Sequence, residues 1–98
     1  MSQIKEIKPG LWILDGKLTL ADANNLCKEG FLLLEKSPEG IEVDLSGVDV
    51  TGSWVLTLLL SLIKRARALQ KKLVYLNATS GLRRIAKANG VLDILGLD

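Results

Sequence analysis

Two hydroxyl side chains, Thr51 and Ser53, flank Gly52 just ahead of a leucine-rich stretch that contains neither proline nor glycine. A hydroxyl in such a place caps a helix, and the unpaired amides of a first helical turn also favour an anion or phosphoryl group. Both readings stand for Ser53, whereas a phosphate-cradling loop does not: Gly52-Ser53 is too short, and no Walker or dinucleotide motif is present. Asp44 and Asp49 could pair as carboxylates, but no complementary base, nucleophile or ligand set accompanies them, and Asp44 is expected to cap a strand end or face water. With one cysteine, Cys27, and no histidine, the chain has no internal disulfide, no zinc ligand set and no His-based triad. The expectation is a protein without catalytic residues, metal or cofactor.

The elements that would position the hydroxyl turn follow from periodicity. Ile4 to Ile7 and Leu11 to Leu14 are short extended runs around the turn signal Pro9-Gly10, as in a hairpin. Thr19 and Asp22 stand at the start of a first helix over about Ala21 to Lys36, whose apolar positions include Leu26, Cys27, Gly30 and Leu34. Cys27 falls on that face and is read as core packing. Ser37-Pro38-Glu39-Gly40 stops the helix, and Ile41, Val43 and Leu45 then alternate with Glu42 and Asp44 as in a strand with one buried face. Val48 and Val50 are expected to continue packing inward past Gly47. A second helix spans Ser53 to Gln70, and Leu73 to Leu76 is a fourth strand. A third helix, capped by Ser80, reaches Asn89 and is closed by Gly90. The order β-β-α-β-α-β-α, in one domain over residues 1–98, predicts an α/β fold with parallel crossovers and helices packed on the sheet.

Placed at about 100° per residue, the second helix puts Val55, Leu59, Leu62, Ala66 and Leu69 on one stripe, enough to cover a sheet. Leu56 and Ile63 lie on one flank, Leu58 and Trp54 on the other, and Leu60 falls near the polar side with Thr57, Ser61 and Lys64. An apolar arc wider than a core needs, beside a tryptophan and a basic rim, has the character of a protein interface; coverage by the first helix or the tail is the alternative.

Charge narrows the partners. Residues 1–52 hold five basic and nine acidic side chains, net −4, while residues 53–98 hold eight and two, net +6. Lys64, Arg65, Arg67, Lys71, Lys72, Arg83, Arg84 and Lys87 make a basic half, yet Tyr75 is the one aromatic near them, so a stacking platform for nucleic acid is missing. The apolar run Trp54 to Ile63 is about half the roughly 20 residues of a membrane span, so direct membrane insertion is not expected. The opening MSQIKEIKPG carries charges where an export signal would be apolar, which points to a cytoplasmic protein.

Asp44-Leu45-Ser46-Gly47-Val48, followed by Thr51-Gly52-Ser53 and a leucine-rich helix ending in Lys64-Arg65-Ala66-Arg67, resembles a STAS domain. Gly16-Lys17-Leu18-Thr19 resembles the step before that family's first helix, and Leu82, Ile85 and the stretch from Gly90 to Leu95 resemble its close. The resemblance implies a mixed sheet of about four strands and a non-enzymatic protein-binding module. It is strongest to the MlaB-type subunit that docks on the ATPase of a phospholipid ABC transporter, peripheral to the inner membrane. The docking face so implied is Thr51, Ser53, Trp54, Thr57, Leu60, Ser61 and Lys64. The alternative is an anti-sigma factor antagonist phosphorylated at Ser53, with an anti-sigma factor kinase as its partner. Against that pattern, Gly52 replaces the usual aspartate and Trp54-Val55 replaces small residues.

Overall fold

In the computed structural model, residues 3–50 and 52–97 are described. The hairpin forms as β1 (Gln3–Lys8) and β2 (Leu11–Leu18), antiparallel, with Ile4 opposite Leu14. After a single 3-10 turn at Leu20–Asp22 comes α1 (Ala23–Lys36), then β3 (Gly40–Asp44), β4 (Val48–Val50), α2 (Trp54–Ala68), β5 (Lys72–Leu76), α3 (Ser80–Ala88) and α4 (Leu92–Leu95). The sheet runs β1-β2-β3-β5, parallel after its first pair, and β4 lies parallel to the far end of β2. The α/β class and the mixed sheet are as expected, with five strands in place of about four. The extra strand is the Val48–Val50 segment, too short to show an alternation of its own and recruited by its pairing with Gly16 to Leu18.

Alternation sorts the two sheet faces. Ile4, Trp12, Leu14, Ile41, Val43 and Tyr75 are buried together with Leu26 and Leu34 of α1 and Leu59 and Leu62 of α2. The other face holds Lys5, Ile13, Asp44 and Leu76 in one cross-strand row and Leu11, Glu42 and Val74 in the next, none of them buried. Two polar contacts fix the layers. The Tyr75 hydroxyl donates to the Leu59 carbonyl at 2.7 Å, joining β5 to α2, and the Lys71 ammonium donates to the Leu34 carbonyl at the end of α1. Gly30 marks the crossing of α1 and α2: a Cβ there would lie 2.5 Å from the Leu62 side chain, which is itself fully enclosed.

The third helix is capped one residue before the expected Ser80. Thr79 has the extended backbone (φ −66°, ψ 159°) a capping side chain needs, and its hydroxyl accepts from the Leu82 amide at 3.2 Å. The expected closure at Gly90 is observed, with φ of 72°. Helix α2 ends in the same way: Lys71 N–H reaches Ala66 and Gln70 N–H reaches Arg67, around a residue at φ 59°. There the left-handed residue is Gln70, not glycine, which explains why its sequence carries no stop signal.

A left-handed backbone costs a side-chain-bearing residue about 1–2 kcal/mol, partly offset by the extra freedom glycine loses on folding. Gln70→Gly is therefore expected to stabilise the protein by about 0.5–1 kcal/mol, read as a higher thermal midpoint, and Gln70→Val to lower it.

Candidate functional site

The motif at the end of β3 is built on Asp44. Its carboxylate accepts the Ser46 amide at 2.8 Å and the Asn77 side-chain amide at 3.3 Å, so it caps the strand end as expected. The Ser46 hydroxyl and amide hold the Asp44 carboxyl below the usual range; slight desolvation opposes them and Asn77 adds to them. Asp49 does not pair with it. Asp44 is in register with Ile13 and Asp49 with Lys17, four residues further along β2, a separation of about 13 Å. Among the described residues, no three metal-ligating side chains gather.

Beyond β4 the chain enters α2. Thr51, expected in the site, lies outside the described residues. Ser53 is exposed and precedes the helix with helical angles, φ −73° and ψ −10°, so its hydroxyl makes no capping bond; a capping side chain needs the extended backbone that Ser53 lacks. Gly52 is tied to Trp54: a Cβ at position 52 would stand 3.3 Å from Trp54 Cδ1. A side chain at position 52 would crowd the indole.

Trp54, Thr57, Leu58 and Ser61 form one wall of a groove of about 350 Å³, and Leu20, Ala23, Asn24 and Cys27 form the other. No charged side chain lines it. Leu20 is the most exposed large apolar residue among those described, at 72%. It stands on the 3-10 turn that Thr19 holds by donating its hydroxyl to Asp22 Oδ2 at 2.8 Å. Cys27 is half-buried, not enclosed in the core; burial pushes its thiol up, and a hydrogen bond with Ser61 partly offsets this.

The groove takes in part of the expected face. Trp54, Thr57 and Ser61 share the groove, while Leu60, half-buried, and Lys64, exposed, are not among its walls. The surplus apolar arc is mostly covered, since Leu56, Leu58 and Ile63 are all buried. Leu58 closes against α1, and Ile63 lies near the tail residues Ile94 and Leu95, the alternative that the sequence had left open. What remains partly outside on α2 is Trp54 and Leu60, and across the groove stands the unforeseen Leu20. A single leucine after Thr19, just beyond the Gly16-Lys17-Leu18-Thr19 step, has no periodicity to mark it.

A mixed sheet with helices over one face and an uncharged groove at the head of α2 define a small α/β domain. A family model described as "Mlab, STAS domain" matches residues 12–96, and the chain belongs to the STAS domain family. STAS domains are protein-interaction modules. Among curated proteins there is no significant match. Among solved structures, the anti-sigma factor antagonist SpoIIAA in its unphosphorylated form superposes with a TM-score of 0.74 at 13% identity, covering 93% of this chain and 82% of that one. An anti-sigma factor antagonist from Mycobacterium paratuberculosis gives 0.67 at 18% identity, covering 96% and 80%. At these identities the likeness is one of fold. Among the described residues, no helix is long and apolar enough to cross a membrane.

The lowered carboxyl of Asp44 makes a testable signature. Its folded value lies below the unfolded one of about 3.9, so the stabilisation is present above that pH and is lost as pH falls through the folded value. The difference in thermal midpoint between the protein and Asp44→Asn is expected to be constant from neutral pH to about 5 and to shrink below about 4.

Proposed function

We propose that this protein is a non-catalytic accessory subunit that docks on the cytoplasmic ATPase of a phospholipid ABC transporter, peripheral to the inner membrane. The observation that carries the reading is the pairing of Trp54 with exposed Leu20 across an uncharged groove, on a chain whose matching family model is of the Mlab type. An aromatic and an aliphatic anchor at the mouth of a shallow apolar groove suit a protein surface, where a few such residues carry most of the binding energy. Exposed Thr57 and Lys64 and half-buried Leu60 would complete the rim, with Ser53 at the leading end.

A second reading, an anti-sigma factor antagonist controlled by phosphorylation at Ser53, has one observation in its favour: the Ser53 hydroxyl is exposed and makes no capping bond. Charge added there would oppose an apolar partner surface. Trp54 against Gly52 favours the first reading, because a kinase would meet an indole directly beside the acceptor.

Co-expression with the source organism's phospholipid-transporter ATPase tests the leading reading. The complex is expected to co-purify, and Trp54→Asp and Leu20→Asp each to weaken it at least about tenfold, or about 1.4 kcal/mol, while Arg84→Glu leaves it intact. Failure to recover the ATPase, or equal recovery by both groove variants, would count against it. Intact-mass measurement of the protein from its native cells decides the second: a form heavier by one phosphoryl group, abolished by Ser53→Ala, would support the switch.

A further inference from the structure

The charge asymmetry of the chain is not explained by the uncharged groove, and the structure gives it a place. Strand β5 is the last of the sheet and its outer edge has no partner strand among the described residues. Its ladder to β3 runs from Lys72 N–H on the Glu39 carbonyl to Leu45 N–H on the Leu76 carbonyl, with Gly40 opposite Lys72, Glu42 opposite Val74 and Asp44 opposite Leu76. In a parallel pair only alternate residues of a strand bond to a given neighbour. Lys72, Val74 and Leu76 therefore face β3, and the peptide groups of Leu73 and Tyr75 face outward.

That open edge borders a groove of about 230 Å³ whose other side is α4, which rests on α2 and α3. Exposed Ile94 (56%) and Val74 (37%) supply apolar surface, and Arg67 and Lys72 supply charge. Lys71 also lines it, with its ammonium committed to the Leu34 carbonyl. A second hollow of about 240 Å³ shares Tyr75 and Gly96 with the first and carries Arg83 at its far end. No acidic side chain lines either hollow; Asp93, next to Ile94 in sequence, is not among the walls.

We propose that the outer edge of β5 is a second, independent docking site that takes an extended partner segment alternating acidic and apolar residues as an added sheet strand. Main-chain bonds to Leu73 and Tyr75 would supply the pairing; on the helix side acidic side chains would meet Arg67 and Arg83 beside Ile94, and the apolar ones between them would meet Val74 on the open face. A second copy of this chain is disfavoured by the same charges, since two paired β5 edges bring their basic rims together. The site lies apart from the Leu20–Trp54 groove and does not depend on how that groove is used.

The test uses the full chain, isotope-labelled, and a short synthetic peptide alternating glutamate and valine. Binding is expected with new exchange protection at the Leu73 and Tyr75 amides and a loss of at least about tenfold in Arg67→Glu and in Ile94→Asp. A peptide of the same sequence, N-methylated at alternate residues, keeps the charge but cannot pair, and is expected not to bind. Any of four results would overturn the proposal: no binding at millimolar peptide, equal binding of the methylated peptide, perturbation centred on Leu20 and Trp54, or peptide-free dimerisation that protects the same two amides.

Discussion

Between β3 and β4 the backbone stays beside one strand while skipping part of its length. Ile13 of β2 is in register with Asp44, and Gly16 with Val48, so Leu45 to Gly47 must turn and return to the same edge. Gly47 makes that return at contact range: a Cβ there would stand 2.8 Å from the Asp15 Cβ, and its carbonyl receives the Gly16 amide at 3.0 Å. Asp44 holds the near side of the turn and Leu45 is buried beneath it. Any side chain at position 47 would push β4 off β2. Since β4 leads into α2, the start of that helix, and with it Trp54, would move as well.

Helix α2 serves two masters. Its inner stripe is the centre of the core, bound to β5 through Tyr75 and crossed by α1 at Gly30. A hydrogen bond such as that of Tyr75 is worth about 1 kcal/mol net, but its geometric effect is larger, because it fixes the helix along its axis against the sheet. The groove is then the shallow gap left where the first turn of α1 and the first two turns of α2 diverge. Its walls are the outer sides of core helices, apart from Leu20 on the 3-10 turn.

Periodicity made most of this readable in advance. The alternation of Ile41, Val43 and Leu45, the leucine stripe of α2 and the glycine after α3 each follow from local rules, and each appears where it was expected. What could not be read depends on neighbours distant in sequence. Val48–Val50 is a strand only because β2 is long enough to receive it, and Leu56, Leu58 and Ile63 are covered by surroundings that helix geometry does not encode. Thr79 displaced Ser80 as a cap because backbone angles, not residue type, separate two adjacent hydroxyl residues. The site was legible in its Trp54 half and illegible in its Leu20 half, for a lone exposed leucine has no pattern until a turn places it opposite something.

The two tryptophans occupy different environments. Trp12 is wholly enclosed, and its indole N–H has no hydrogen-bond partner among the described residues. Trp54 lies half-open against Gly52 at the groove mouth. The protein therefore carries a matched pair of intrinsic optical reporters: emission from Trp12 follows the integrity of the interior, and emission from Trp54 follows whatever covers the groove. Each residue replaced by phenylalanine in turn would leave a single-coloured version of the molecule, one that reports unfolding and one that reports occupancy, with no label attached.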